Sequence, residues 1–446
     1  MLDKNKTVTR FAPSPTGFLH IGNIRTALMC YLYAKKTGGQ FMLRIDDTDV
    51  ERSKQEYIDA VFEDLKWLGL NHDFTAKQSE RFPRYFEVIE DFKKIGRLYP
   101  CYETQEELDV KRKIQLNRGL PPIYDRAALK LTPEQIAKFE AEGKKPHWRF
   151  KLEDKDSIWI DEIRGEIKFS AKHSSDPILI RGNGQFTYML PSTIDDVDFN
   201  ITHVMRGEDH ISNTAIQIQI FEAMNAPIPT FAHSSLIKTK DGKLSKREGS
   251  GAIADLRKKG VTPMALCSFL AKVGTSDQII LRNSLEELIA DFDISKFSKA
   301  PTFYTIADLE RLNTQALHQS DFTSLKAKLP EGITEEFWNM IKANIKSQDE
   351  VATWWNVANG NITPIIDDND KEFVETAASL LPQGEWTIET WGAWMNQLKE
   401  KTGRKGKELF MPIRKALTAH EHGPEMKDFL PFIGYKKAIA RLKHKA

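Results

Sequence analysis

The sequence predicts an α/β fold in which a parallel sheet is interrupted by an inserted α+β module and followed by an all-α C-terminal half. Three observations carry this. Up to about residue 97, and again over about 178–250, short apolar runs alternate with segments of helical periodicity, the pattern of parallel strands with helices on their faces. Between about 98 and 177 charged helical stretches and alternating segments at 148–152, 157–163 and 166–170 take over, as antiparallel strands give. From about 251 onward almost everything repeats at helical spacing, as Tyr435, Ala438, Ile439 and Leu442 do, and Pro330, Pro364, Pro382, Pro412 and Pro431 are expected to break the segments.

The elements follow in order. A strand at 8–12 feeds a turn stiffened by Pro13 and Pro15, then a helix from about Ile21 to Thr37 that Gly38-Gly39 closes. A second strand at 41–46 ends in Asp47-Thr48-Asp49. Tyr57, Ile58, Val61, Phe62, Leu65 and Leu68 mark the next helix, which stops near Gly69, and another covers about 81–95 with Gly96 behind it. In the inserted stretch, Gly119-Leu120-Pro121-Pro122 separates charged helical segments. The parallel pattern resumes with a strand at 178–180, a helix from about Met189, a strand at 202–205, a helix to about Met224 and a strand at 231–237. That last strand leads into a lysine-rich loop. His20, Asp46, Arg206 and Lys246 all fall just after strands or in the loops beyond them, where open parallel sheets bind ligands.

Two segments carry phosphate chemistry. In the turn from Pro13 to Asn23, Gly17 and Gly22 allow close backbone approach, and the helix start offers unpaired N–H groups and a positive dipole end to an anion. His20 stands there as a hydrogen-bond donor to a phosphate oxygen. In the loop, Lys238, Lys240, Lys243, Lys246 and Arg247 surround Asp241-Gly242, so flexible cations can follow a leaving pyrophosphate. Together they describe a mononucleotide site that handles ATP phosphates from two sides.

The pair resembles the two signature sequences of class I aminoacyl-tRNA synthetases. Arg10-Phe11-Ala12-Pro13-Ser14-Pro15-Thr16-Gly17, Leu43-Arg44-Ile45-Asp46-Asp47-Thr48-Asp49 and Arg206-Gly207-Glu208-Asp209-His210 are similar to the bacterial glutamyl-tRNA synthetases, over most of residues 7–260 and more loosely to the C-terminus. The resemblance implies a Rossmann-like catalytic domain (1–97 and 178–250), an inserted module for the tRNA acceptor end (98–177), a helical stem-contact domain (251–315) and a helical anticodon-binding domain (316–446). It implies attack of the glutamate α-carboxylate on the α-phosphorus of ATP, with Mg²⁺ arriving on the nucleotide, then transfer to the terminal ribose of tRNA. Activation that waits for tRNA is expected.

Site residues follow from the same resemblance. His20, Lys243 and Lys246 act on the phosphates; Pro13, Thr16, Gly17, Gly22, Asn23, Asp209, Leu236, Leu244, Ser245 and Arg247 complete the ATP site. Glutamate brings two carboxylates and one ammonium, so its pocket wants separated cations and an anion: Arg10, Arg206 and Asp46, lined by Ala12, Ser14, Tyr188 and Ser192. Arg206 is the position that chooses the acid over its amide. Asp46 stands where many relatives have glutamate, which shortens its reach by about one methylene, so water is expected to bridge to the ammonium. Ser192 stands where some have asparagine and makes fewer hydrogen bonds than an amide.

Bulk properties set further bounds. A net charge of +1 hides local basic runs at Lys111-Arg112-Lys113, Lys144-Lys145, Lys399 to Lys407 and Lys436 to Lys445, each of which alone reads as a solvated face. Cys30, Cys101 and Cys267 are far apart, which suits a reducing compartment and argues against disulfides. Some relatives carry zinc in the inserted module, but Cys101 has no second cysteine nearby and one thiolate does not make a structural site, so no zinc is expected. Tyr124 lies where a further ligand would be sought. No run of about eighteen apolar residues occurs, and a cytoplasmic monomer without membrane contact is expected. Trp338, Trp354, Trp355, Trp386, Trp391 and Trp394 are expected mostly in the core, with one or two exposed for base stacking.

Other readings stay open at this point. A smaller adenylyltransferase acting without RNA would share the ATP turn but would not need the helical half. A tRNA-binding paralogue with a dead site would not need His20, Lys243, Lys246 and Arg206 intact. The truncated relative that glutamylates a modified tRNA base is shorter than this chain. Relatives that reject tRNA for glutamine read the last anticodon base with an arginine; the matching position falls near Ala343-Asn344-Ile345, where no arginine occurs, which leaves tRNA(Gln) open as an additional or alternative substrate.

Overall fold

Every residue of the first strand, β1 (Val8–Phe11), is buried, as a strand covered by helices on both faces must be. The structure, a computed structural model, describes residues 6–171, 174–239 and 252–444, and the chain divides into two compact units. The first comprises Met1–Lys258 and Pro263–Leu309. After β1 come α1 (Ile21–Lys36), β2 (Gln40–Ile45), α2 (Gln55–Leu68), β3 (Phe74–Lys77), α3 (Phe82–Lys94), β4 (Leu98–Cys101), α4 (Gln105–Asn117), α5 (Pro133–Ala141) and β5 (His147–Phe150). They are followed by β6 (Ser157–Asp161), β7 (Gly165–Phe169), β8 (Ile178–Ile180), α6 (Met189–Asp198), β9 (His203–Gly207), α7 (Ile211–Ala223), β10 (Thr230–Ser234) and β11 (Ile237–Thr239). The unit closes with α8 (Ile253–Lys258), α9 (Pro263–Lys272), α10 (Leu285–Asp291) and β12 (Thr302–Tyr304). α2 stops where the sequence predicts, with Gly69 in the left-handed region at φ 75°.

Seven strands form the main sheet in the order β3-β2-β1-β9-β10-β6-β7. All neighbours are parallel except β6 and β7. The strand order reverses between β1 and β9, and the carboxyl ends there open the crevice in which such sheets bind ligands. Val8, Met42, Trp159, Val204, Phe221 and Phe231 belong to the core packed on this sheet.

Strand membership differs from the sequence pattern at two places. The alternating segment that becomes β6 reads as part of the inserted module, yet it lies beside β10, with Asp161 paired to Phe231. Its alternation puts Ser157, Trp159 and Asp161 inward and leaves Ile158 and Ile160 exposed, so one face suits the main sheet. The strand β8, expected to resume the parallel pattern, instead pairs antiparallel with β5 in a separate sheet of order β4-β5-β8. Three apolar residues without alternation specify burial but no partner, and Leu179 and Ile180 find it beside Phe150 and Leu98. β12, within a stretch read as helical, pairs with β11.

The second unit, Lys259–Thr262 with Glu310–Ala446, is helical among its described residues. After α11 (Ile306–Gln319), which spans the division, come α12 (Phe322–Leu325), α13 (Glu335–Ile341), α14 (Asp349–Asn359), α15 (Lys371–Ser379), α16 (Ile388–Thr402), α17 (Lys407–Thr418), α18 (Met426–Ile433) and α19 (Tyr435–Leu442). Trp338 and Trp394 are fully buried and Trp354 nearly so; Trp355, Trp386 and Trp391 pack against the same core. All six tryptophans thus serve packing and none is left exposed for stacking; the indole N–H groups of Trp338, Trp386 and Trp394 donate to the carbonyls of Ser320, Pro382 and Ala377. Pro412 and Pro431 lie inside α17 and α18 instead of breaking them. The Glu408 carbonyl that Pro412 leaves without its helical donor accepts from Arg404 Nη1 at 3.4 Å. Ile345 is buried, and its carbonyl lies 2.9 Å from His318 Nε2. No helix among the described residues is long and apolar enough to cross a membrane.

Trp394→Ala should destabilise the helical unit by about 3–5 kcal/mol, the usual range for emptying a buried tryptophan site. A drop in the midpoint of that unit's chemical unfolding, followed by circular dichroism, checks this.

Candidate active site

The turn after β1 is set by its own backbone. The Pro13 carbonyl accepts from Asp46 N at 3.0 Å, which ties the ends of β1 and β2, and Thr16 N donates to the Ser14 carbonyl at 2.9 Å. Ala12 and Gly17 are half-buried, and Ser14 and Thr16 are exposed. His20 then caps α1. Its Nδ1 accepts from the N–H groups of Gly22 (3.0 Å) and Asn23 (3.4 Å), and Asn23 Oδ1 accepts in return from His20 N at 3.0 Å. Partial burial lowers the imidazole's pKa, so the ring is neutral near pH 7. With Nδ1 used as an acceptor, its proton sits on Nε2, which remains a donor at the mouth of the helix.

Lys243, Leu244, Ser245, Lys246 and Arg247 lie outside the described residues. On one side of them β11 ends at Thr239; on the other Ala252 forms a bridge with His20, and Ile253 N donates to the Leu19 carbonyl at 3.0 Å. Leu236, just before β11, donates its N–H to Glu208 Oε1 at 3.2 Å. Asp209 is largely exposed, and its Oδ1 packs over Gly207, 2.4 Å from where a Cβ there would sit.

Beneath the turn lies a buried set of charges. Arg10 holds Asp196 through Nε (3.1 Å) and Nη2 (3.4 Å). Arg44, fully buried, donates to Asp196 at 2.7 Å, to both oxygens of Asp46 at 2.6 and 3.1 Å, and to Ser192 Oγ at 3.0 Å. Asp195 in turn accepts from Gln78, Arg81 and Tyr85. Burial pushes the Asp46 carboxyl up to about 6 despite Arg44, whereas Arg10 and Arg44 overcome burial at Asp196 and hold it below the usual range. The structure therefore brings Arg10, Asp46 and Ser192 together through Arg44 and Asp196. Neither of those two was singled out as a site residue, although the pair Asp195-Asp196 inside the apolar α6 segment was a legible sign of buried acids.

Arg206 is different. It is 9% exposed and has no carboxylate within ion-pair distance among the described residues. Its partners are neutral: Thr214 Oγ1 at 2.6 Å, Gln217 Oε1 at 2.7 Å and His233 Nε2 at 3.3 Å. Burial, with repulsion from Arg10, lowers its pKa to about 10, so it stays charged at neutral pH. Tyr188, at the start of α6, places its hydroxyl 3.4 Å from His210 Nδ1, in the turn that follows Arg206. Arg25 and Arg441 are likewise buried on neutral acceptors, so what sets Arg206 apart is its place on β9 at the carboxyl ends of the main sheet.

The expectation of no zinc rested on counting thiols. The structure corrects that premise, since Cys101 Sγ, a Glu103 carboxylate oxygen and a His147 ring nitrogen lie within 4.8 Å of one another. Glu103 Oε2 and His147 Nε2 are buried without hydrogen-bond partners, and the Tyr124 hydroxyl donates to Glu103 Oε1 at 2.8 Å. These donors suit a divalent cation. His147 lies on β5, beside β4, too far along the chain for a spacing argument to find.

A family model described as the catalytic domain of class I tRNA synthetases for E and Q matches residues 6–318, and one described as an anticodon binding domain matches residues 358–446. Glutamate–tRNA ligase 1 of Rickettsia massiliae (strain Mtu5) is 52% identical over 444 residues, covering 98% of this chain and 99% of its own. The chain belongs to the glutamate–tRNA ligase family. A Wolbachia pipientis glutamate–tRNA ligase 1 is 48% identical over 437 residues, covering 98% of each chain. The crystal structure of the Elizabethkingia anophelis glutamate–tRNA synthetase matches with a TM-score of 0.85 at 27% identity, over 99% of this chain and 100% of that one. The Elizabethkingia meningosepticum ligase, solved in complex with its amino acid, matches equally at 0.85 and 27%, over 98% and 99%. Among these ligase relatives the tRNA(Gln) alternative finds no support.

Asp196→Asn removes the carboxylate that Arg10 and Arg44 share. It should destabilise the catalytic unit by about 3–5 kcal/mol, because the buried Arg10 loses its carboxylate partner while Arg44 keeps Asp46. Equilibrium unfolding of the variant checks this, and a loss below about 1 kcal/mol would count against the shared-carboxylate account.

Proposed function

We infer that this chain activates L-glutamate with ATP and transfers the glutamyl group to tRNA(Glu). The observation that carries the reading is Arg206, a buried cation with neutral partners only, at the carboxyl end of β9 beside the strand-order reversal. The side-chain carboxylate of glutamate supplies the missing anion there, whereas the amide of glutamine would leave the guanidinium uncompensated. Arg10 uses Nε and Nη2 on Asp196 and keeps Nη1 for the α-carboxylate. Asp46, turned toward Arg44, meets the ammonium through water, with Ala12, Ser14, Tyr188 and Ser192 lining the pocket.

An α-carboxylate oxygen attacks the α-phosphorus of MgATP, the bond to the β-phosphate oxygen breaks, and pyrophosphate leaves with the metal. The terminal ribose hydroxyl of tRNA then attacks the acyl carbon of the adenylate and AMP departs. No protein nucleophile is needed, so catalysis comes from positioning and charge stabilisation. His20 Nε2–H donates to a phosphate oxygen as charge builds. Lys243 and Lys246 follow the leaving pyrophosphate, a role supported by the return of the chain at Ala252 to bridge His20. Pro13, Thr16, Gly17, Gly22, Asn23, Asp209, Leu236, Leu244, Ser245 and Arg247 complete the nucleotide site. We assign no zinc to the reaction: a cation on Cys101, Glu103 and His147 would brace the inserted module, and none of those residues is assigned to glutamate or ATP. The chain is read as a cytoplasmic monomer, with 1–97 and 178–250 catalytic, 98–177 meeting the acceptor end, 251–315 the stem and 316–446 the anticodon.

Charging assays with purified tRNA(Glu) and tRNA(Gln) test the reading. ATP-dependent esterification of tRNA(Glu) with glutamate is expected, and equal use of glutamine would overturn it. Lys246→Ala should lower kcat by about 100-fold while the KM for glutamate stays within about threefold, since its cation acts on developing phosphate charge.

A further inference from the structure

The network behind Arg206 has an order that packing alone does not require. In register on parallel strands, Arg206 of β9 pairs with His233 of β10, and Asp161 ends the neighbouring strand β6. His233 and Asp161 are 0% and 1% exposed. Asp161 Oδ1 accepts the backbone N–H groups of Ile163 (3.1 Å), Arg164 (3.0 Å) and His233 (3.2 Å), while Oδ2 lies 2.6 Å from His233 Nδ1. A carboxylate with that many donors is ionised and only accepts. His233 Nδ1 must therefore carry the ring proton, and Nε2 turns a lone pair toward β9.

That lone pair faces Arg206 Nε–H at 3.3 Å and the Thr214 hydroxyl at 2.8 Å. The Thr214 oxygen accepts Arg206 Nη2, as does Gln217 Oε1, whose amide is oriented by its own donation to Thr193 Oγ1 at 3.2 Å. A carboxylate in the place of His233 would hold the guanidinium more strongly, but it would cancel the charge and repel an incoming carboxylate. A neutral acceptor fixes direction and leaves the charge unspent. We propose that His233, locked in its Nδ1–H tautomer by Asp161, is a positioning residue that aims Arg206 at the side-chain carboxylate of glutamate without neutralising it, and so sets the preference for acid over amide. This rests on the reading of Arg206 as the partner of that carboxylate.

The test is steady-state aminoacylation of tRNA(Glu) by the full chain. Asp161→Asn keeps the shape but lets the residue donate to Nδ1, which moves the ring proton to Nε2 and points it at Arg206. The KM for glutamate should rise about tenfold and the rejection of glutamine should fall by a similar factor, with the KM values for ATP and tRNA within about threefold. His233→Phe keeps a ring beside Phe231, with which His233 is stacked at 6.1 Å, and removes the acceptor; it should give the same split, and it serves where Asp161→Asn fails to fold. Arg206→Ala is run alongside. If it raises the glutamate KM while both other variants leave it within about twofold, the positioning role is overturned. A parallel rise in all three KM values in those variants also overturns it, as a merely structural effect. If Arg206→Ala itself leaves glutamate selection unchanged, the underlying reading of Arg206 fails instead.

Discussion

Burying a guanidinium without a counter-charge is the constraint around which this site is organised. Three neighbouring arginines, Arg10, Arg44 and Arg81, are each matched by buried aspartates. Arg206 has only oxygen and nitrogen lone pairs. At the carboxyl end of the central strand β9 that charge is fixed by Thr214, Gln217 and His233, and on the proposed reading a substrate anion completes it. With Arg10 and Arg44 matched within the protein, the proposed reading leaves Arg206 as the cation for a substrate that brings its own negative charge.

The fold supplies the geometry. Reversal of strand order between β1 and β9 sets the carboxyl ends of these strands side by side, so Arg10 and Arg206 meet across the switch although 196 residues of sequence separate them, and Asp46 joins from β2. The turn held by the Pro13 carbonyl and the His20 cap then covers the same crevice from above. On the proposed reading, amino-acid and nucleotide chemistry share one backbone segment, the stretch from Arg10 to Asn23, so a single turn would serve both halves of the activation step.

Much of this was legible in the sequence. The turn from Pro13 to Asn23, the placement of Asp46 just after β2 and the helices from Ile306 onward are local patterns where periodicity and turn residues predicted them, whereas Arg206 falls within β9 instead of after it and β12 interrupts the stretch read as helical. Pairing partners were not legible. β8 is too short to specify a sheet, β6 suits two, and α17 tolerates Pro412 because the carbonyl at Glu408 finds another donor. The charge network was hidden for the same reason: Asp196, Asp161, His233 and His147 act through contacts across strands and helices that no spacing in the chain encodes. A count of cysteines missed the Cys101 cluster because two of its three donors are not sulfur.

The most direct test of the central claim is a crystal structure of the chain with glutamate bound. The account predicts the side-chain carboxylate within about 3 Å of the Arg206 guanidinium, with His233, Thr214 and Gln217 still on its far side. A glutamate carboxylate bound elsewhere, with Arg206 turned onto a carboxylate of the protein itself, would contradict it.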